Sequence, residues 1–77
     1  MPGTSGAPGV VRAELVGNVL DVLVVAGRAV APDEPLVLLE SMKMEIPVSS
    51  EQGGTVVEVA VSVGDVVQEG DVLVVLS

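Results

Sequence analysis

Two segments of the chain alternate between inward and outward side chains in the way of half-buried β-strands. The first segment starts at Gly17 and the second at Gly54. Strict alternation places Val19 and Asp21 on one side of the first strand and Val22 on the other. In each segment the alternating run is followed by a turn at a glycine, a second turn and a final apolar run. The pattern therefore predicts two short β units.

The two units are copies of one pattern. Residues 17–40 align without a gap with residues 54–77, and nine of the 24 positions are identical. The abundance of valine inflates this figure, but two glycine pairs also hold matched positions: Gly17 with Gly54 and Gly27 with Gly64. One copy cannot bury its apolar face alone, whereas two copies facing each other can. We expect an all-β flattened barrel of two antiparallel sheets with pseudo-two-fold symmetry.

The alignment also separates the parts of the chain that do not repeat. Residues 1–10 are rich in Pro, Gly and Ser, and we interpret them as a flexible lead-in to a domain at 11–77. Residues 41–53, SMKMEIPVSSEQG, match neither copy and join them. This joint is expected at one extremity of the molecule.

Local propensity in the joint conflicts with the repeat. The stretch PLVLLESMKMEIP, residues 35–47, is rich in helix formers and bracketed by prolines. However, Leu36–Leu39 align with Leu73–Leu76, and an isolated helix of this length is marginal. We therefore predict a strand, a tight turn around Met42–Lys43 and a returning strand over Met44–Val48.

Composition narrows the possible chemistry. Twenty of the 77 residues are Val, and the chain contains no Phe, Tyr, Trp, Cys or His. The core should consist of Val and Leu, without disulfides and without thiolate or imidazole metal sites. The acidic pairs Asp21/Glu58 and Glu34/Asp71 occupy repeat-related surface positions, and no loop has calcium-binding spacing. We expect no catalytic set and no metal site.

The charge balance excludes two classes of partner. The formal net charge is −8, whereas nucleic acids and anionic membranes are bound through Lys and Arg. The domain also lacks the run of about 20 apolar residues that a membrane span requires. We expect a soluble, cytoplasmic protein.

Lys43 is the only lysine in the chain, and it stands between Met42 and Met44. Nothing nearby in the sequence marks it as an activated nucleophile, since it lacks a neighbouring cation or an apolar surround. A lone lysine near glutamates is commonly a solvated charge, and flanking methionines are commonly core residues. The alternative is an exposed amine on which another enzyme acts.

The string Glu40-Ser41-Met42-Lys43-Met44 resembles the attachment motif of biotin carrier domains, Glu-Ala-Met-Lys-Met. The context fits as well, with a β repeat on each side, a turn at Gly64-Asp65 and the run Gly70-Asp71-Val72-Leu73 near the end. The resemblance covers residues 11–77, and Ser41 in place of Ala is a small-for-small change.

The resemblance implies a biotinyl/lipoyl-type barrel-sandwich hybrid with Lys43 on a hairpin turn. A biotin protein ligase would attach biotin covalently to Lys43. The carrier, itself not an enzyme, would shuttle the carboxyl group between the biotin carboxylase and the carboxyltransferase of a biotin-dependent carboxylase, such as an acyl-CoA carboxylase. Met42 and Met44, with Ser41 and Glu40, would be recognised by the ligase and the other partners.

Two alternatives remain beside this interpretation. Lipoyl domains share the fold but carry Asp-Lys-Ala around the lysine, so Met-Lys-Met favours biotin. The chain could also be a small β interaction module with Lys43 unmodified. Two features depart from larger carboxylase chains: the stretch Arg12–Gly17 lacks the prolines of Ala-Pro-Met-Pro-Gly, and there is no insertion long enough for a protruding thumb. The chain resembles a free-standing, single-domain attachment protein.

Overall fold

A computed structural model describes residues 9–77, which form eight strands and no helix. The strands are β1 (Val10–Arg12), β2 (Gly17–Val22), β3 (Ala29–Val30), β4 (Pro35–Ser41), β5 (Met44–Ser49), β6 (Gly54–Val59), β7 (Val66–Val67) and β8 (Val72–Leu76). The expected flexible segment, residues 1–10, lies mostly outside the described part. Its last residue, Val10, is already in a sheet and pairs with Val75.

The strands form two four-stranded antiparallel sheets, as predicted. Their orders are β1-β8-β6-β3 and β5-β4-β2-β7. Each sheet includes one short strand from the other repeat: β7 of the second copy pairs with β2 of the first, and β3 of the first copy pairs with β6 of the second. The two repeats therefore exchange their short strands and interlock, which the sequence pattern alone did not reveal.

The pseudo-two-fold relation extends further than the sequence alignment indicated. A shift of 37 residues carries β2, β3 and β4 onto β6, β7 and β8. It also relates β1 to β5, because the pair Val10–Val75 corresponds to the pair Pro47–Leu38. The expectation that residues 41–53 have no counterpart is therefore wrong for β5. Its sequence, MEIPVS, shares too little with the first strand for an alignment to detect the relation.

Matched irregularities break the strict alternation predicted for the long strands. The register shifts between Val19 and Asp21 in β2, and at the equivalent place, between Val56 and Glu58, in β6. Because a bulge reverses the phase of the side chains that follow it, Val19 packs on the same side as Val22. The prediction that these two valines face opposite sides is wrong.

The core is built from Val and Leu, as the composition predicted. Its fully buried side chains come in repeat-related pairs: Leu36 with Leu73, Leu39 with Leu76, Val37 with Val74 and Val19 with Val56. No polar or charged residue among residues 9–77 is buried.

The two glycine pairs of the repeat have different physical causes. A Cβ at Gly17 would lie 2.7 Å from the Glu40 carbonyl oxygen, and one at Gly54 would lie 2.5 Å from that of Ser77. Gly27 and Gly64 instead adopt φ of +95° in their turns, a conformation that side chains oppose. Close backbone approach therefore requires the first pair, and turn geometry requires the second.

Repeat-related carboxylates fasten the second turn of each copy. Glu34 Oε1 accepts a hydrogen bond from the Ala31 N–H (3.0 Å), and Asp71 Oδ2 accepts one from the Gln68 N–H (2.8 Å). These side chains stabilise turns in the manner of capping residues.

The long axis of the molecule connects two distinct ends. At one end, Gly17 lies beside Glu40. Ten residues later, the Gly27 N–H donates to the Val56 carbonyl (2.7 Å), and Val56 is the sheet partner of Leu76. The six residues of β2 between these places already span about 20 Å of a molecule whose longest dimension is 35 Å. The end near Gly17 contains the β4–β5 connection and is called the hairpin end below.

Candidate functional site

The joint between the repeats is a β-hairpin. Strands β4 and β5 pair in register up to Ser41 and Met44, so that Met42 and Lys43 alone form the loop. The predicted strand, turn and returning strand are confirmed, with β5 ending at Ser49, one residue later than expected. The helix that local propensity favoured does not form, because Leu36 and Leu39 are needed in the sheet core.

Both loop residues have left-handed backbone conformations, with φ of 53° at Met42 and 65° at Lys43. Positive φ at both central positions defines the type I′ turn, whose twist matches the flanking strands. Such turns normally use Asn-Gly, and a residue with a Cβ in this region costs roughly 1–2 kcal/mol. The paired β4 and β5 strands hold the turn in place. Strain of this kind concentrates at functional sites.

Lys43 projects from this turn into solvent. Among residues 9–77 it forms no hydrogen bond within the protein and has no carboxylate within 4 Å. Both arginines are engaged: Arg12 donates to the Gly70 carbonyl (2.9 Å), and Arg28 forms an ion pair with Glu34 (2.6 Å). Within this part of the chain, Lys43 is therefore the cationic side chain that forms neither an ion pair nor a hydrogen bond with the protein.

The methionines beside Lys43 are not core residues. The Met42 side chain is 91% exposed and the Met44 side chain 63% exposed. Of the two interpretations left open by the sequence, the structure excludes the one in which these methionines pack inside the protein. They stand on either side of the amine and are accessible to a partner.

Behind the tip, the hairpin carries an acidic stem. Glu40 lies directly opposite Glu45 across the β4–β5 pairing, and Glu40 also pairs with Asn18 on β2. Like charges placed opposite one another weaken a hairpin. Ser41, half-buried opposite Met44, completes the set that the sequence singled out around Lys43. The structure thus places all five motif residues on one hairpin.

A shallow groove beside the hairpin brings in residues that sequence reasoning missed. It is lined by Leu15, Val16 and Asn18 together with Met42 and Lys43. In the sequence, the segment before β2 was distinguished only by the absence of two prolines. Its contact with the tip follows from the close approach of Gly17 to Glu40, which the glycine pair could have indicated.

Two other features of the described region bear on function. No cluster of three or more acidic side chains in residues 9–77 is arranged to hold a metal ion. The same residues contain no helix long and apolar enough to cross a membrane.

Comparison with known proteins bears on the role of the hairpin. The sequence family described as "Biotin-requiring enzyme" matches residues 4–76. The "Biotinylated protein TB7.3 homolog" of Mycobacterium leprae is 55% identical over 67 residues, which are 87% of this chain and 94% of that protein. The "Biotin/lipoyl attachment protein" of Bacillus subtilis is 45% identical over 67 residues, covering 87% and 92% of the two chains.

A solved structure shares the architecture. The urea carboxylase of Kluyveromyces lactis superposes with a TM-score of 0.84 at 25% identity, over 90% of this chain and 6% of that much longer chain. The matches of sequence and of fold each cover nearly the whole chain. The chain belongs to the biotin/lipoyl attachment family and is a carrier domain rather than a catalyst.

Proposed function

We propose that this protein is a biotin carboxyl carrier, modified covalently on Lys43. The observation that carries the proposal is an exposed lysine, without a partner in the described region, on a left-handed two-residue turn between exposed methionines. An amine held in this way can enter the active site of a modifying enzyme without breaking any contact within the carrier.

The site fits the group it would receive. A biotin protein ligase activates the biotin carboxyl group as its adenylate. Lys43 Nζ would supply the amine that forms an amide with the biotin carboxyl carbon, with AMP as the leaving group and the proton lost from the amine passing to solvent. Nothing in residues 9–77 covers Nζ or competes as a second lysine.

Once attached, biotin would accept a carboxyl group at a biotin carboxylase and release it at a carboxyltransferase. The long Lys43 side chain serves as a tether that raises the effective concentration of the bound group at each partner's site. The similarity to a carboxylase structure and to a biotinylated relative supports this proposal. The carboxyltransferase, not the carrier, would select the acyl substrate.

Met42 and Met44 would be read directly by the ligase and the carboxylase components, with Ser41 and Glu40 on the stem. Flexible, polarizable methionine side chains suit a surface that several partners contact in turn. We also propose a cytoplasmic location, because the absence of Cys fits a reducing compartment.

The test is the intact mass of the protein produced with an active biotin protein ligase. We expect a biotin-sized increment that is absent from Lys43→Arg, a variant that keeps the charge but does not form the amide. A lipoyl-sized increment would favour the lipoyl carrier instead. An unmodified mass despite active ligases would contradict both carrier functions and favour an interaction module.

A further inference from the structure

Exposed apolar side chains are concentrated at the hairpin end. Eight large apolar residues are exposed among residues 9–77, and five belong to this end: Val16, Met42, Met44, Val63 and Val66. The motif accounts for the two methionines. The three valines, each more than half exposed, lie outside it and have no assigned role.

These three valines adjoin the hairpin through the sheet. Val66 on β7 is the partner of Asn18 on β2, and Asn18 is in turn the partner of Glu40 on the hairpin stem. Since neighbouring strands lie about 4.8 Å apart, Val66 is roughly 10 Å from that stem. Val16 lines the same groove as Met42 and Lys43.

Val63 belongs to the same region, because the N–H of the following residue, Gly64, donates to the Val19 carbonyl on β2 (2.9 Å). We call Val16, Val63 and Val66 the valine flank.

The internal repeat provides a comparison for the valine flank. The positions related to Val16, Val63 and Val66 by the shift of 37 residues lie in the other half of the molecule, where they are Gly53, Ala26 and Ala29. The fold is therefore satisfied by small side chains at these places. The larger valines at the hairpin end are not required by the backbone geometry that the two halves share.

The charge around the flank indicates what kind of surface would cover it. Glu14, Glu40, Glu45 and Asp65 lie beside or among the flank and hairpin residues, and the cations of this region are Lys43 and, near Glu14, Arg12. A second copy of this chain, also with a net charge of −8, would be repelled. A protein surface with an apolar centre and a rim of Lys and Arg is complementary.

The length of the Lys43 side chain indicates which of these proteins would cover the valine flank. Before modification, the amine stands only one lysine side chain from the hairpin backbone, so an enzyme acting on Nζ must cover the adjacent surface. An enzyme acting on biotin at the end of the extended arm can remain further away. We propose that the valine flank is a docking surface for the biotin protein ligase. This inference rests on the proposed biotinylation of Lys43.

The experiment measures steady-state kcat/KM for biotinylation of the carrier by the ligase. The variants are Val63→Thr, Val66→Thr and the double variant, because Thr keeps the shape and β-branching of Val but adds a hydroxyl. Burying that hydroxyl unpaired is expected to lower kcat/KM about 3- to 10-fold for each substitution, mainly through a higher KM. Added salt should lower kcat/KM of the wild type and of these uncharged substitutions by a similar factor, because salt screens the charge complementarity that steers association.

Val25→Thr and Val57→Thr are the matched controls, since these valines are also more than half exposed but lie away from the hairpin. They should be biotinylated at the wild-type rate, and the thermal unfolding of all variants confirms their folding. Equal rates for flank and control variants would overturn the docking surface while leaving the biotinylation of Lys43 intact. A wild-type protein that receives no biotin at all would overturn both.

Discussion

At the scale of single residues, the hairpin tip departs from what its backbone would favour. Met42 and Lys43 both occupy the left-handed region, where Asn and Gly are the usual residues. The identity of these two side chains is therefore not explained by the stability of the turn. The proposed modification of Lys43 would explain it, because the turn presents both side chains to solvent.

Replacing Met42 with Asn should stabilise the protein. Asn tolerates positive φ better than Met, so we expect a gain of up to about 1 kcal/mol, or a rise in Tm of roughly 4–8 °C for a domain of this size. Thermal unfolding followed by circular dichroism measures it. Met44→Asn is the control, because Met44 lies in β5 with ordinary strand geometry. No difference between the two variants would show that the turn is not strained at Met42.

Truncation of the methionines tests their function separately from folding. Met42→Ala and Met44→Ala should change the free energy of unfolding by less than about 0.5 kcal/mol, since both side chains are exposed. Both variants should nevertheless be biotinylated more slowly. Leu39→Ala, in the core, should cost about 2–5 kcal/mol and serves as the contrast. Severe unfolding of either methionine variant would contradict their placement outside the core.

At the scale of strands and turns, the repeat offers a matched pair of positions, one beside the hairpin and one at the other end of the molecule. Gly17→Ala and Gly54→Ala each place a Cβ against a backbone carbonyl oxygen. Both should destabilise the fold by roughly 1–3 kcal/mol, through forced backbone shifts. Denaturant unfolding gives the two values.

The two glycine variants should differ in biotinylation. The shift caused by Gly17→Ala falls on Glu40, beside the tip, whereas that caused by Gly54→Ala falls on Ser77, at the other end. Below the unfolding transition, only Gly17→Ala should slow the ligase reaction. Equal rates for the two variants would mean that the position of the hairpin does not depend on the neighbouring strand β2.

Periodicity and turn residues were sufficient to predict most elements. The hairpin and its tip were predicted from the alignment of Leu36–Leu39 with Leu73–Leu76, against a local propensity for helix. They did not predict the bulges after Val19 and Val56, because a run of valines and leucines has no residue that marks a change of phase. The repeat relation between β5 and β1 was not predicted, for a similar reason. That relation is visible in the strand pairing, whereas the sequence of Met44–Ser49 does not resemble that of β1.

At the scale of the whole molecule, charge opposes compactness. Residues 9–77 form one ion pair, Arg28 with Glu34, within a chain whose formal net charge is −8. Self-repulsion among exposed carboxylates should therefore lower stability at low ionic strength. The core compensates without aromatic residues, through the paired Leu and Val layers.

Added salt should accordingly stabilise the protein. Raising NaCl from about 0.01 M to 1 M shortens the Debye length from roughly 30 Å to 3 Å and should raise Tm. Glu45→Lys, which changes the formal net charge from −8 to −6 and removes the Glu40–Glu45 opposition, should show a smaller rise. A Tm that is independent of salt would show that repulsion is not a significant term.

The two ends of the molecule have one more consequence. The Leu76 N–H donates a hydrogen bond to the Gly9 carbonyl (2.9 Å). Leu76 is the sheet partner of Val56, so this contact lies far from Lys43. Chain segments attached at Gly9 and at Leu76 would therefore meet the domain at almost the same point. The fold is therefore suited to insertion as a cassette in a loop of a host protein, with Lys43 facing outward and the host on the opposite side.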